Sequence, residues 1–143
     1  MSTYVHHLLG PEPRVVHSIA PDNTVYEAIA LMARLEIGAL LVMSGGQLVG
    51  ILSERDYTRK VILMDRSSKT TKVSEIMSSN VIHVTPDADI NECLNLMSAN
   101  NIRHLPVMIE GRVVGVISIM NVIRSIITDK EFIIQQLENY IAG

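Results

Sequence analysis

Apolar stripes and short apolar runs alternate with polar turns along this chain, and the whole pattern is stated twice, 65 positions apart. From Val25, apolar side chains recur at Ala28, Ile29, Met32 and Leu35, the spacing of one helix face. Thr24 with Glu27 has the form of a capping box. The second statement carries Ile90, Cys93, Leu94 and Met97, with Asp89 and Glu92 in the capping places. Each helix is followed by an apolar run, Ala39 to Met43 and Leu105 to Ile109. A glycine turn comes next (Ser44-Gly45-Gly46-Gln47, Glu110-Gly111), then a second run, Leu48 to Leu52 and Val113 to Ile117. Two β-rich runs joined by such a turn predict a hairpin. Ser53 and Ser118 stand where a further helix starts. Ahead of each first helix lies an extended piece, Val15 to Ile19 and Val81 to Val84, closed by Pro21-Asp22 and Pro86-Asp87.

The pattern predicts a mixed α/β fold of the α+β type. Each copy reads strand, helix, strand, strand, helix. A solenoid needs three or more copies, so two copies are expected to pack as one pseudo-symmetric unit. The predicted organisation is a first domain over 12–64, a linker with a short lead-in helix over 65–76, a second domain over 77–127 and a C-terminal helix over 128–143. The linker stretch Asp65 to Lys72 is polar, and Ser74-Glu75-Ile76-Met77 reads as a helical lead-in to the second copy. In the last helix Thr128 and Glu131 have the form of a capping box, and a stripe of Ile133, Ile134, Leu137 and Ile141 lies beside Tyr140. That stripe either packs on the module or forms a dimer contact.

Composition narrows the function classes. A net charge of −3 gives no electrostatic case for nucleic acid or an anionic membrane. One cysteine, Cys93, allows no internal disulfide and no cysteine metal cluster. No apolar run reaches membrane-spanning length, and the N-terminus lacks the form of a signal peptide. A cytoplasmic protein without metal is the expectation.

Candidate chemistry is sparse. There is no phosphate-binding glycine fingerprint. Cys93 sits on an apolar stripe, where a buried structural thiol is expected. His6-His7 has no partner at ligand spacing and reads as a solvated pair. What remains is Gly50-Ile51-Leu52-Ser53-Glu54-Arg55-Asp56. If Ser53 starts a helix, Ser53 and Asp56 share one side of its first turn. An acceptor pair there suits the vicinal hydroxyls of a ribose. Free amides at the helix start attract phosphate, and Arg55 adds a charged donor. The same residues also fit a plain serine cap with an acidic first turn, and the spacing alone leaves both readings open.

The two gapless copies, together with Ala20-Pro21-Asp22, Thr85-Pro86-Asp87, Asn101-Ile102-Arg103-His104-Leu105-Pro106-Val107 and the Gly-x-x-Ser-x-x-Asp of Gly50 to Asp56, resemble a pair of cystathionine β-synthase (CBS) domains. This arrangement is called a Bateman module, and the resemblance covers roughly residues 12 to 126. It implies adenine nucleotides (AMP, ADP, ATP or NAD) in clefts between the repeats, a homodimer and a separate effector protein. It further implies that Ser53 and Asp56 hold a ribose and that His17, Ser18, Ile19 and Ala20, with Ile82, His83 and Thr85 in the other copy, frame the base. Arg103 and His104 are then candidates for phosphate, beside Pro106. The copies differ where this matters: Asn121 replaces Asp56 behind Ser118, and Gly38-Ala39 stands in place of Arg103-His104. The first site is therefore expected to bind more tightly. A structural module with no ligand is the competing reading. A small enzyme is disfavoured, because nothing pairs a base with a nucleophile.

Overall fold

A computed structural model describes residues 3–12 and 14–142. They fall into two compact units, one of Val15–Ile82 and one made of the residues up to Arg14 together with those from His83 onward.

The first unit is built on a three-stranded sheet of β1 (Ser18–Ile19), β2 (Ala39–Ser44) and β3 (Gln47–Ser53), in that order. β1 runs parallel to β2 with Ser18 opposite Leu41, and β2 runs antiparallel to β3 with Leu40 opposite Leu52. The hairpin closes through Gly45 and Gly46, both at positive φ, which is the geometry whose twist suits a two-residue hairpin. Helix α2 (Val25–Leu35) lays Val25, Ala28 and Met32 on this sheet, against Leu40, Val42 and Leu52. The predicted capping box is present: Glu27 N–H donates to Thr24 Oγ1 at 3.2 Å and Thr24 N–H to Glu27 Oε1 at 3.3 Å. The short helix α3 (Glu54–Tyr57) follows β3 and passes into a wide π-type turn over Thr58–Ile62.

The stretch read as a linker has a structural task. Val25 N–H donates to Thr71 O and Tyr26 N–H to Ser68 O, so the polar loop satisfies amides that the first turn of α2 leaves open. Helix α4 (Val73–Ile76) lies within this first unit: Val73 N–H donates to Asn23 O and Ser74 N–H to Pro21 O. Val73 and Ile76 are buried in its core. The lead-in expected for the second copy thus closes the first.

The second unit repeats the plan with α5 (Ile90–Asn100), β4 (His104–Ile109) and β5 (Arg112–Ser118). Each hairpin carries a register shift at the same place, Val42/Met43 and Val107/Met108. Both first helices end on a left-handed residue, Glu36 and Asn101. The cap of α5 departs from expectation: Asp89 accepts from Asn91 N–H at 2.7 Å, and Glu92 closes no reciprocal box.

An element that the sequence reading did not foresee, α1 (Val5–Leu9), closes this unit. Val5 N–H donates to Ala88 O, His6 N–H to Pro86 O and Ile90 N–H to Thr3 O, and Val5 is fully buried. α1 therefore does for the second copy what α4 does for the first. The two glycines of the repeated strands show why they are glycines. A Cβ at Gly50 would stand 2.5 Å from Met77 Sδ, just after α4, and one at Gly115 would stand 2.7 Å from Leu9 Cδ2, the last residue of α1.

Other expectations need correction. The extended pieces are shorter than predicted: Val15 is 80% exposed, and in place of a strand over 81–84 there is one bridge, Val84 opposite Val107. The last helix does not begin at 129. A single helix, α6, runs Ile119–Ala142, with no Gly or Pro to break it. Thr128 is inside it, and its hydroxyl donates to Arg124 O at 2.9 Å rather than capping a new start. Val122 is buried, but the stripe farther on lies open to solvent, from 45% at Ile133 to 83% at Ile141. The apolar faces of α2 and α5 are buried at Val25, Ala28 and Met32 and at Ile90, Cys93 and Met97.

Candidate functional site

The antiparallel register of β2 and β3 sets Ala39 opposite Ser53, and Glu54 N–H donates to Gly38 O at 3.1 Å. This brings Gly38 and Ala39 to the start of α3. There Ser53 and Asp56 form a closed pair. Asp56 Oδ2 accepts from Ser53 N–H at 2.9 Å and from Ser53 Oγ at 3.1 Å, and Asp56 N–H returns a bond to Ser53 Oγ at 3.2 Å. The other carboxylate oxygen, Oδ1, lies 3.2 Å from Lys60 Nζ. Lys60 also donates to Ile76 O at 2.9 Å, linking the turn after α3 to α4. Arg55 is half-buried beside them.

The free amides expected here to attract phosphate are largely used. Those of Glu54 and Asp56 already have protein acceptors, and α3 is a single turn. What the site offers is its side chains. A carboxylate has about four acceptor positions, and three contacts occupy Asp56, whose side chain is 15% exposed. The remaining capacity is that of a hydrogen-bond acceptor for a hydroxyl group. Ser18, exposed on β1, lies in the same sheet, with His17 before it and Ala20 after it, both also exposed; Ile19 and Ile82 are half-buried.

The second copy assembles the equivalent residues in the same way. His104 pairs with Ser118, and Ile119 N–H donates to Arg103 O at 2.8 Å. Ser118 N–H donates to Asn121 Oδ1 at 3.0 Å, and Asn121 N–H to Ser118 Oγ at 3.2 Å. Arg103 is exposed, and His104 is half-buried. Pro106 is buried, its carbonyl accepting from Val84 N–H at 3.0 Å. His83 and Thr85 are exposed on either side of Val84, and Thr85 Oγ1 bonds Asp87, which holds that carboxyl below its usual range.

Two candidates outside these sites resolve plainly. Cys93 is buried, and desolvation first, then Glu92 and Asp89, push its thiol up to about 11. A thiol so held is a poor nucleophile at neutral pH. His6 and His7 are exposed on α1, and His7 Nδ1 accepts from Tyr4 N–H at 2.9 Å. Among the described residues no three His, Cys, Asp or Glu side chains gather as a metal site, and no helix is long and apolar enough to cross a membrane.

The sequence reading missed Lys60 and α1. The signal for α1 was Thr3-x-Val5 against Thr71-x-Val73, 68 positions apart rather than 65.

A family model described as the CBS domain matches residues 12–62 and again 73–128. The chain belongs to the CBS domain family. It is 41% identical over 127 residues to the mitochondrial CBS domain-containing protein CBSX3 of Arabidopsis thaliana, covering 85% of this chain and 62% of that one. The chain thus spans somewhat under two thirds of that relative's length. A solved protein with CBS domains from Burkholderia ambifaria is 45% identical, with a TM-score of 0.85 over 89% of this chain and 96% of that one. A CBS domain pair solved in complex with 5′-methylthioadenosine and S-adenosyl-L-methionine is 27% identical, with a TM-score of 0.76 over 90% of this chain and 99% of that one. The two CBS repeats and the mixed α/β fold read from the sequence are therefore those of this family.

Proposed function

We propose that this CBS pair is a regulatory module that binds an adenine nucleotide (AMP, ADP, ATP or NAD) and signals energy or redox state to a separate effector protein. The observation that carries the reading is the Ser53–Asp56 pair, a hydroxyl and a carboxylate at 3.1 Å where a strand ends and a helix begins. A ribose diol needs such acceptors, and both ligands of the adenosine-bound relative contain that group. Asn121 supplies one neutral acceptor oxygen, already bonded to Ser118 N–H, so the Asp56 site is the tighter one. Binding rather than catalysis fits the absence of an activated nucleophile among the described residues, with Cys93 buried.

We further infer a homodimer in the cytoplasm. Ile127, Ile134 and Ile141 recur every seven residues on α6, with Leu137 between the last two, and all four are at least half exposed. Isoleucine at one core position and leucine at the other is the pattern of a two-stranded coiled coil.

One observation favours a second reading, a structural module without ligand. Ser53 and Asp56 satisfy each other as a capping box, and a helix start needs nothing more. A thermal-shift series with AMP, ADP, ATP, NAD and S-adenosylmethionine separates the two. The nucleotide reading expects stabilisation by at least one of them, weakened about tenfold or more in Asp56→Ala, since a hydrogen bond to a charged group contributes about 1.5–3 kcal/mol. No stabilisation by any of the five leaves the structural reading.

A further inference from the structure

The two copies differ at one joint. In the first unit Lys60 reaches from the turn over Thr58–Ile62 to α4, bonded to Asp56 and to Ile76 O. The residue 65 positions later is Ser125, a much shorter side chain. Where the lysine would lie, the second unit has an open pocket of about 300 Å³. Leu8 of α1 lines it, with Asn121, Arg124, Ser125 and Thr128 along one face of α6.

Three acceptors at this pocket each already hold a hydrogen bond. Leu8 O accepts from Arg14 Nη2 at 3.1 Å, Arg124 O from Thr128 Oγ1 at 2.9 Å and Asn121 Oδ1 from Ser118 N–H at 3.0 Å. What remains is a set of donors: the Arg124 guanidinium, the Asn121 amide NH₂ and the Ser125 hydroxyl. None of the three meets a protein acceptor among the described residues, and no carboxylate lines the pocket. An arginine fork with neutral donors beside it and no competing carboxylate suits a phosphoryl group. The volume exceeds that of a bare ion and matches the lower end of small-molecule sites.

We propose that this pocket binds a small phosphate ester, with its phosphoryl group on Arg124, Ser125 and Asn121 and its carbon skeleton against Leu8. The proposal stands without a nucleotide at Ser53 and Asp56. Because Leu8 belongs to α1 and the donors to α6, an occupied pocket ties the N-terminal segment to the long helix, as Lys60 ties α4 in the first unit.

The test is a ¹H–¹⁵N NMR titration of the full chain at constant ionic strength. Glycerol 3-phosphate is the probe in one arm and inorganic phosphate in the other. The expected result is saturable shifts at the Ser125 amide and the Arg124 Nε–H. The ester should bind more tightly than the free ion. Arg124→Ala should weaken binding about tenfold or more, and Ser125→Leu, which removes the hydroxyl and fills the pocket without adding a charge, should abolish it. Asp56→Ala should leave the response unchanged, which separates this site from the nucleotide site at Ser53 and Asp56. Shifts that rise linearly without saturation, or that match in the parent, Arg124→Ala and Ser125→Leu proteins, overturn the proposal. Amide spectra of both variants report whether they remain folded.

Discussion

The helices that leave Ser53 and Ser118 start alike and end differently. Both place their first amide on the carbonyl of a residue before the hairpin, Gly38 or Arg103. Both use the serine hydroxyl to take the amide three residues on. The first then widens into a π-type turn and stops at Ile62, whereas the second runs to Ala142. The start is set by capping chemistry that the repeat preserves. The end is set by the downstream residues, a polar loop with Asp65 at positive φ in one case and an unbroken helix-forming run in the other. The helices that follow the two hairpins thus share their capped starts and diverge after them. Beyond them one copy has Lys60 bonded to Asp56 and to α4, and the other has a pocket and an exposed helix.

That exposed helix offers the strongest way to break the comparison. If α6 differs from its counterpart because it pairs with a second copy, Leu137→Asp should convert a dimer to a single-chain mass in sedimentation equilibrium. A charge in a coiled-coil core position is a large perturbation, while the same position on a solvated helix tolerates it. Two-chain mass in Leu137→Asp removes α6 from the interface.

A smaller effect probes the joints themselves. Gly50→Ala drives a Cβ into Met77 and within 3.1 Å of Ser78 O, and Ser78 is bonded in both directions to Ile51. Gly115→Ala meets the side-chain carbons of Leu9 alone. Overpacking costs about 1–3 kcal/mol. Denaturant unfolding should therefore show Gly50→Ala losing about 2 kcal/mol and Gly115→Ala distinctly less. Equal losses would mean that the two lead-in helices are held equally rigidly.

Much of this was legible beforehand, for physical reasons. Val25 to Leu35 and the hairpins declare themselves through periodicity, and Thr24 and Ser53 through the cap chemistry their hydroxyls perform. α1 was hidden because its likeness to α4 sits three residues out of step with the main repeat. β1 holds by two residues and a parallel neighbour, which leaves no alternation to detect. Lys60 escaped notice because half of its work is a bond to a backbone carbonyl 16 residues away, and a carbonyl has no sequence signature. The continuation of α6 was misread because Thr128 and Glu131 have the form of a cap, yet the preceding turn is already helical and the hydroxyl bonds back into it.

The central claim is that the carboxylate at position 56, against the amide at 121, decides where an adenine nucleotide binds. The most direct measurement is calorimetry with AMP on the parent chain, on Asp56→Asn and on Asn121→Asp. The account predicts one dominant site in the parent, about tenfold or more weaker in Asp56→Asn, and a second site strengthened in Asn121→Asp. Affinity and stoichiometry unchanged across all three proteins would contradict it.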